Sequence, residues 1–202
     1  MIEKLHGKAI PVVRTDREDT ARRLVDWLGE AGMTIFEITT SVPNHTAIVR
    51  DLAREMDLLV GMGTVLDAET AEAAVAAGAA FLVSPCVVPE VIAVGRAAGV
   101  PVIPGAATPT EALTAHRAGA AAVKLFPSRQ LGGPGFLKAV ASVLPTVSLV
   151  PTGGIEIDDA GDYFAAGAFA IGLGSQLAKE SEIESGDKAA VIERARRLAA
   201  YT

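Results

Sequence analysis

One cysteine, Cys86, occurs in 202 residues, so no disulfide can form within the chain and a reducing, intracellular setting suits it. Without a visible His or Asp partner, Cys86 reads as a packed thiol rather than a nucleophile. Aromatic residues are scarce, at 4%. The core must then come from small and branched side chains. Ala, Val, Leu and Gly dominate, which suits helices packed closely on a parallel sheet. The histidines, His6, His45 and His116, are few and dispersed, with no metal-ligand pair at helical spacing, so neither metal nor cofactor is expected. His45 reads as a surface or helix-capping residue. No apolar run reaches membrane-spanning length without Pro, Gly or charge. Residues 1–8 lack the hydrophobic region of a signal peptide, and a soluble, cytoplasmic protein is expected. Basic residues number 18 against 24 acidic ones, a net charge of -6. That balance argues against nucleic acid or a membrane surface as partner. An anionic small substrate stays open, because the local field in a cleft can oppose the net charge.

What the chain does have is a weak repeat: an Ala-rich amphipathic stretch, a glycine, then a short apolar run. It occurs at Gly32 before TIFEI, Gly78 before AAFLV, Gly99 before VPVIP, Gly119 before AAAVKLF and Gly167 before AFAIGLG. Glycine just past a helix end adopts a left-handed backbone without a Cβ penalty. Four to six apolar residues after it match a fully buried strand. The repeat predicts strands near 9–14, 34–39, 57–62, 80–84, 101–104, 121–126, 147–151 and 168–172. Helix starts are expected at Asp16 or Asp19, Asn44, Asp67, Pro89, Thr108, Pro134, Asp158 and residues 185–187. Eight β/α units in one 1–202 domain make a short α/β (β/α)8 TIM barrel. Residues 1–7 are expected to close its bottom as a short extra helix. An open doubly wound sheet is the alternative, weakened by the lack of GxGxxG after the first strand.

In such a barrel the active site lies at the carboxyl ends of the strands. There the sequence places Arg14, Glu37, Thr64, Ser84, Pro85, Lys124, Thr152, Gly153, Gly154, Gly174 and Ser175. Burying charge at interior-facing ends is costly unless it is paired or used. Lys124 sits in the otherwise apolar AAVKLFP. Desolvated there, it would be nucleophilic toward a carbonyl; alternatively it snorkels to solvent. Glu37, in the apolar IFEI, is the natural general base, or else a structural ion-pair partner of Lys124 or Arg14. TGG at 152–154 and GLGS at 172–175 follow strands seven and eight, where backbone N–H groups converge on phosphate in this fold. Tight turns needing glycine sterically would look the same.

Taken in order, FEITT around Glu37, GMGTVL at 61–66, FLVSP at 81–85, PGAATPTEA at 104–112, VKLFPS at 123–128, PTGGI at 151–155 and GLGSQL at 172–177 resemble one family. It is the 2-keto-3-deoxy-6-phosphogluconate (KDPG) and 4-hydroxy-2-oxoglutarate aldolase family, including its 6-phosphogalactonate branch. The resemblance implies a metal-free class I aldolase, a homotrimer, acting on a phosphorylated 2-keto acid. It implies Lys124 as the Schiff-base residue and Glu37 as the proton shuttle. Thr64 and Thr152 would line the pyruvate pocket, with Pro85 and Phe126 as its apolar walls. Gly153, Gly154, Gly174 and Ser175 would hold phosphate. Where the KDPG branch carries an arginine four residues after the catalytic Glu, this chain has Ser41. The substrate carboxylate is then expected on Arg14, or on Ser41 with backbone donors. A 6-phosphogalactonate-specific aldolase, and a sugar-phosphate isomerase or epimerase on the same barrel, are the alternatives in function.

Overall fold

The computed structural model describes residues 1–201; Thr202, the last position of the expected domain, lies outside them. In chain order the elements are β1 (Ala9–Val13), α1 (Glu18–Glu30), β2 (Ile35–Thr39), α2 (His45–Leu52), β3 (Leu59–Gly63), α3 (Ala68–Ala76), β4 (Leu82–Val83) and α4 (Pro89–Ala98). There follow β5 (Val102–Ile103), β6 (Gly105–Ala106), α5 (Pro109–Ala118), β7 (Val123–Leu125), α6 (Gly133–Val143), β8 (Leu149–Pro151), α7 (Ala160–Ala165), β9 (Ile171–Leu173), α8 (Glu180–Ser185) and α9 (Lys188–Arg196).

The strands are parallel and run β5-β4-β3-β2-β1-β9, then β6-β7-β8. β5 and β6 are one barrel strand divided at Pro104, which has no N–H to give a ladder. A parallel bridge between Thr152 and Gly172 joins β8 to β9. The ring thus closes over eight barrel strands, as the repeat predicts, although several are shorter than expected. No helix among the described residues is long and apolar enough to cross a membrane.

Strand alternation sorts the apolar residues into two cores. Phe36, Ile38, Met62, Val123 and Leu125 face outward and are buried under the helices. Ile10, Ile35, Phe81, Val83, Ile103, Ala122 and Val150 face inward and fill the lower barrel. Leu5 joins this inner core from a 3-10 turn at Ile2–Leu5, so the N-terminus does plug the bottom. Two inward positions break the apolar pattern, Glu37 one layer above Ile35 and Lys124 one layer above Ala122. The sequence therefore directs both to the middle of the barrel, above its greasy floor.

Most helix starts fall where expected. Asp67 accepts from the Thr70 N–H, Thr108 forms a capping box with Glu111, and Asp187 accepts from the Ala190 N–H. Others differ in mechanism. Asn44 precedes α2 in a left-handed conformation, but its side chain donates to Glu18 Oε2 at 2.6 Å instead of capping. α1 follows Arg17 with no side-chain cap, and Asp19 pairs with Arg17. Asp158 lies in a 3-10 turn at Ile157–Asp159, ahead of α7. α8, inserted between β9 and α9, was not anticipated at all.

Candidate active site

Lys124 and Glu37 meet inside the barrel, their Nζ and Oε1 atoms 3.6 Å apart, with side chains only 7% and 5% exposed. Glu37 Oε1 is buried and has no hydrogen-bond partner. Removing two charges from water costs several kcal/mol per ion, and only close, hydrogen-bonded geometry offsets it. A separation of 3.6 Å lies outside hydrogen-bond range. The pair is therefore poor as a structural clamp, and suits an amine and a carboxylate that await a third, reacting group between them. The Phe126 ring lies 5.4 Å from Lys124 Nζ, close enough for a cation–π contact.

Above the pair opens a cavity of about 550 Å³. Its walls contain Arg14, Thr64, Pro85, Lys124, Phe126, Thr152, Gly153, Gly154, Gly174 and Ser175. The structure so brings together all but three of the residues singled out from sequence. Glu37 sits against Lys124 below the wall. Ser84 is fully buried behind the wall, and Ser41 is exposed in the loop after β2, sharing a 2.7 Å hydrogen bond with Thr39 Oγ1.

Arg14 does not form the outward pair with Asp16 or Asp19 that a surface arginine would. It reaches past the end of β2 and donates from Nη2 to Thr64 Oγ1 at 2.8 Å. Thr64 is itself in an unusual state, with φ of 62°. A β-branched residue in the left-handed region is strained, and such strain collects at working sites. Its carbonyl accepts from Thr40 Oγ1 at 2.9 Å, which helps hold it there.

Cys86 corrects the sequence reading: its thiol is exposed, not packed. The chain leaves β4 through Pro85, and the Ser84 hydroxyl donates to the Cys86 carbonyl at 2.7 Å, turning the loop outward. His45 Nδ1 lies 2.9 Å from the Val42 carbonyl and serves the local turn.

Sequence reasoning missed four contributors. Gly63 lies under Glu37: a Cβ built there would be 2.1 Å from Glu37 Oε1. The GMGTVL motif contains it, yet its role depends on the pairing of β2 with β3, where Thr39 lies opposite Gly63. Thr15, Gln176 and Glu180 also line the cavity. The last two lie in the β9–α8 segment and its helix, for which no apolar periodicity gave warning.

The comparisons with known proteins agree with this geometry. The family model described as KDPG and KHG aldolase matches residues 2–194. The 2-dehydro-3-deoxy-phosphogluconate aldolase of Pseudomonas aeruginosa is 35% identical over 186 residues, covering 92% of this chain and 84% of that protein. The 2-dehydro-3-deoxy-6-phosphogalactonate aldolase of Escherichia coli is 34% identical over 195 residues, covering 94% of this chain and 95% of that one. Among solved structures, the KDPG aldolase of Legionella pneumophila, with pyruvate captured as a covalent carbinolamine, superposes with a TM-score of 0.87. It is 28% identical and covers 100% of this chain and 97% of that one.

Proposed function

The chain belongs to the KDPG and KHG aldolase family and is a class I aldehyde-lyase, and we propose that Lys124 and Glu37 are the residues that perform its chemistry. The substrate is a 2-keto-3-deoxy-6-phospho sugar acid, cleaved to pyruvate and glyceraldehyde 3-phosphate. The observation that carries the assignment is the buried Lys124–Glu37 pair, 3.6 Å apart at the base of a cavity whose far wall is two glycine-rich turns.

The Lys124 amine adds to the C2 ketone, and loss of water gives a protonated imine. That cation is the electron sink. Glu37 takes the proton of the C4 hydroxyl, the C3–C4 bond breaks, and its electron pair flows into the imine. The aldehyde departs and leaves an enamine of pyruvate. Glu37 returns a proton to C3, and water hydrolyses the imine, freeing pyruvate and Lys124. A carboxylate with an unpartnered oxygen beside the amine is suited to this two-way transfer, since it has no competing donor to displace. Arg14 supplies positive charge to the substrate carboxylate or orients Glu37. Thr64, Thr152, Pro85 and Phe126 enclose the pyruvate portion. Gly153, Gly154, Gly174 and Ser175 direct N–H groups at the phosphate. The same reading takes the chain as one barrel domain that assembles as a homotrimer in the cytoplasm.

Relatives of both C4 specificities are about equally similar, at 35% and 34% identity, so both epimers belong in the test. The wild-type chain should release pyruvate and aldehyde in equal amounts from at least one epimer. Glu37→Gln should lower turnover by roughly 10² while keeping the fold, the scale of a lost general acid–base. Conversion of the acids without carbon–carbon cleavage would favour an isomerase instead. Near-normal cleavage by Glu37→Gln would move the base elsewhere.

A further inference from the structure

Two neighbouring residues at the carboxyl end of β1 send polar arms in opposite directions. Arg14 reaches toward β3 and donates to Thr64. Thr15 turns the other way, and its hydroxyl donates to Glu180 Oε1 at 2.7 Å. Glu180 opens α8, five residues beyond Ser175, and lines the cavity together with Gly174 and Ser175. Its place is well anchored. The Arg23 guanidinium donates to the Ile183 carbonyl at 3.0 Å, Ile183 is buried, and Arg194 pairs with Glu182 on the same helix.

The cations that line the cavity, among the described residues, are Arg14 and Lys124. The first is turned toward Thr64, and the second is consumed by the imine. Arg129 touches the Gly154 carbonyl, but it is paired with Glu156 at 2.8 Å and does not line the cavity. Lys179 and Glu180 are both exposed, but of the two Glu180 alone lines the cavity. The glycine turns thus offer N–H groups to a substrate tail, while the ionised side chain that shares that end of the cavity is an acid. A phosphate brings about -1.5 to -2 charge at neutral pH. Like charges in a partly enclosed cleft repel more strongly than in open water.

We propose that Glu180, held by Thr15 at the glycine-turn end of the cavity, determines specificity for the substrate's tail. Its carboxylate accepts hydrogen bonds from the hydroxyls of an unphosphorylated 2-keto-3-deoxy sugar acid and repels the phosphorylated one. This rests on the aldolase reading above, and narrows it: the phosphate is accepted against a standing penalty that this chain's own residue imposes.

Glu180→Gln tests it, because the amide oxygen still accepts from Thr15 and only the charge is removed. The kcat/KM of wild type and variant is measured on the phosphorylated and unphosphorylated forms of the same acid. The ratio of phosphorylated to unphosphorylated kcat/KM should rise on the order of ten-fold, the scale of one partly screened like charge. Inorganic phosphate, followed by thermal shift, should bind the variant more tightly than wild type. A ratio within about two-fold of wild type, in a variant with wild-type melting temperature, overturns the proposal. Wild-type protein that cleaves neither acid and captures no pyruvate overturns the aldolase reading itself, and this inference with it.

Discussion

Replacing Gly63 with alanine adds one methyl group facing Glu37. The built Cβ lies 2.1 Å from Glu37 Oε1 and 2.7 Å from its Cγ and Cδ, whereas ordinary contact begins near 3.4 Å. The carboxylate must therefore retreat by about 1.3 Å, the difference of those two distances. Backbone is not what the methyl meets, so the barrel itself can stay. Forcing Glu37 off its rotamer costs about 0.5–1.5 kcal/mol. In a chain of this size that lowers the melting temperature by roughly 1–6 °C. Catalysis should suffer far more, because a misplacement of about 1 Å can cost on the order of 10² in rate. The expected result is a folded Gly63→Ala protein, melting a few degrees lower, that still captures pyruvate at Lys124 but has lost most turnover. Circular dichroism, thermal melts and steady-state pyruvate release read the three quantities. A variant with wild-type turnover would refute the idea that Glu37 must stand where it does. A variant that loses pyruvate capture and turnover equally would place the damage at Lys124.

Arg14→Met keeps length and removes charge; pyruvate imine formation should weaken by about 1.5–3 kcal/mol, the scale of a hydrogen bond to a charged group. Unchanged capture and cleavage would leave the carboxylate to backbone donors near Ser41. Gly174→Val should fold, since a Cβ there meets nothing closer than the Val12 carbonyl at 4.0 Å. Its isopropyl group stands where phosphate is expected, so KM should rise far more for a phosphorylated acid than for an unphosphorylated one. Equal effects on both would mean that the turn only shapes the barrel.

The barrel and the inward placing of Glu37 and Lys124 were legible in the sequence because they follow from alternation, while the pocket roles of Thr64, Thr152, Pro85 and Phe126 came from the family resemblance. Once the apolar runs are taken as strands, Glu37 and Lys124 fall on inward positions, and chain order puts Arg14 on the strand next to Glu37. What was not legible depends on contacts between segments. Gly63 earns its place only through the packing of β3 under the Glu37 side chain. Glu180 lies in a six-residue helix held by tertiary contacts to Arg23 and Arg194, and a helix that short carries almost no periodic signal. Asn44 marked a helix start correctly but for a different reason, since its side chain is taken by Glu18. Ser41 drew attention through its spacing from Glu37, yet β2 ends at Thr39 and Ser41 itself is exposed in the loop that follows.

The central claim is that Lys124 becomes covalently joined to the keto acid. Incubating the protein with pyruvate and borohydride, then mapping peptides by mass spectrometry, tests it directly. One reduced pyruvate group on Lys124, absent in Lys124→Ala, is the expected result. Labelling that persists undiminished in Lys124→Ala, or an unlabelled wild-type chain that still cleaves the acid, would contradict it.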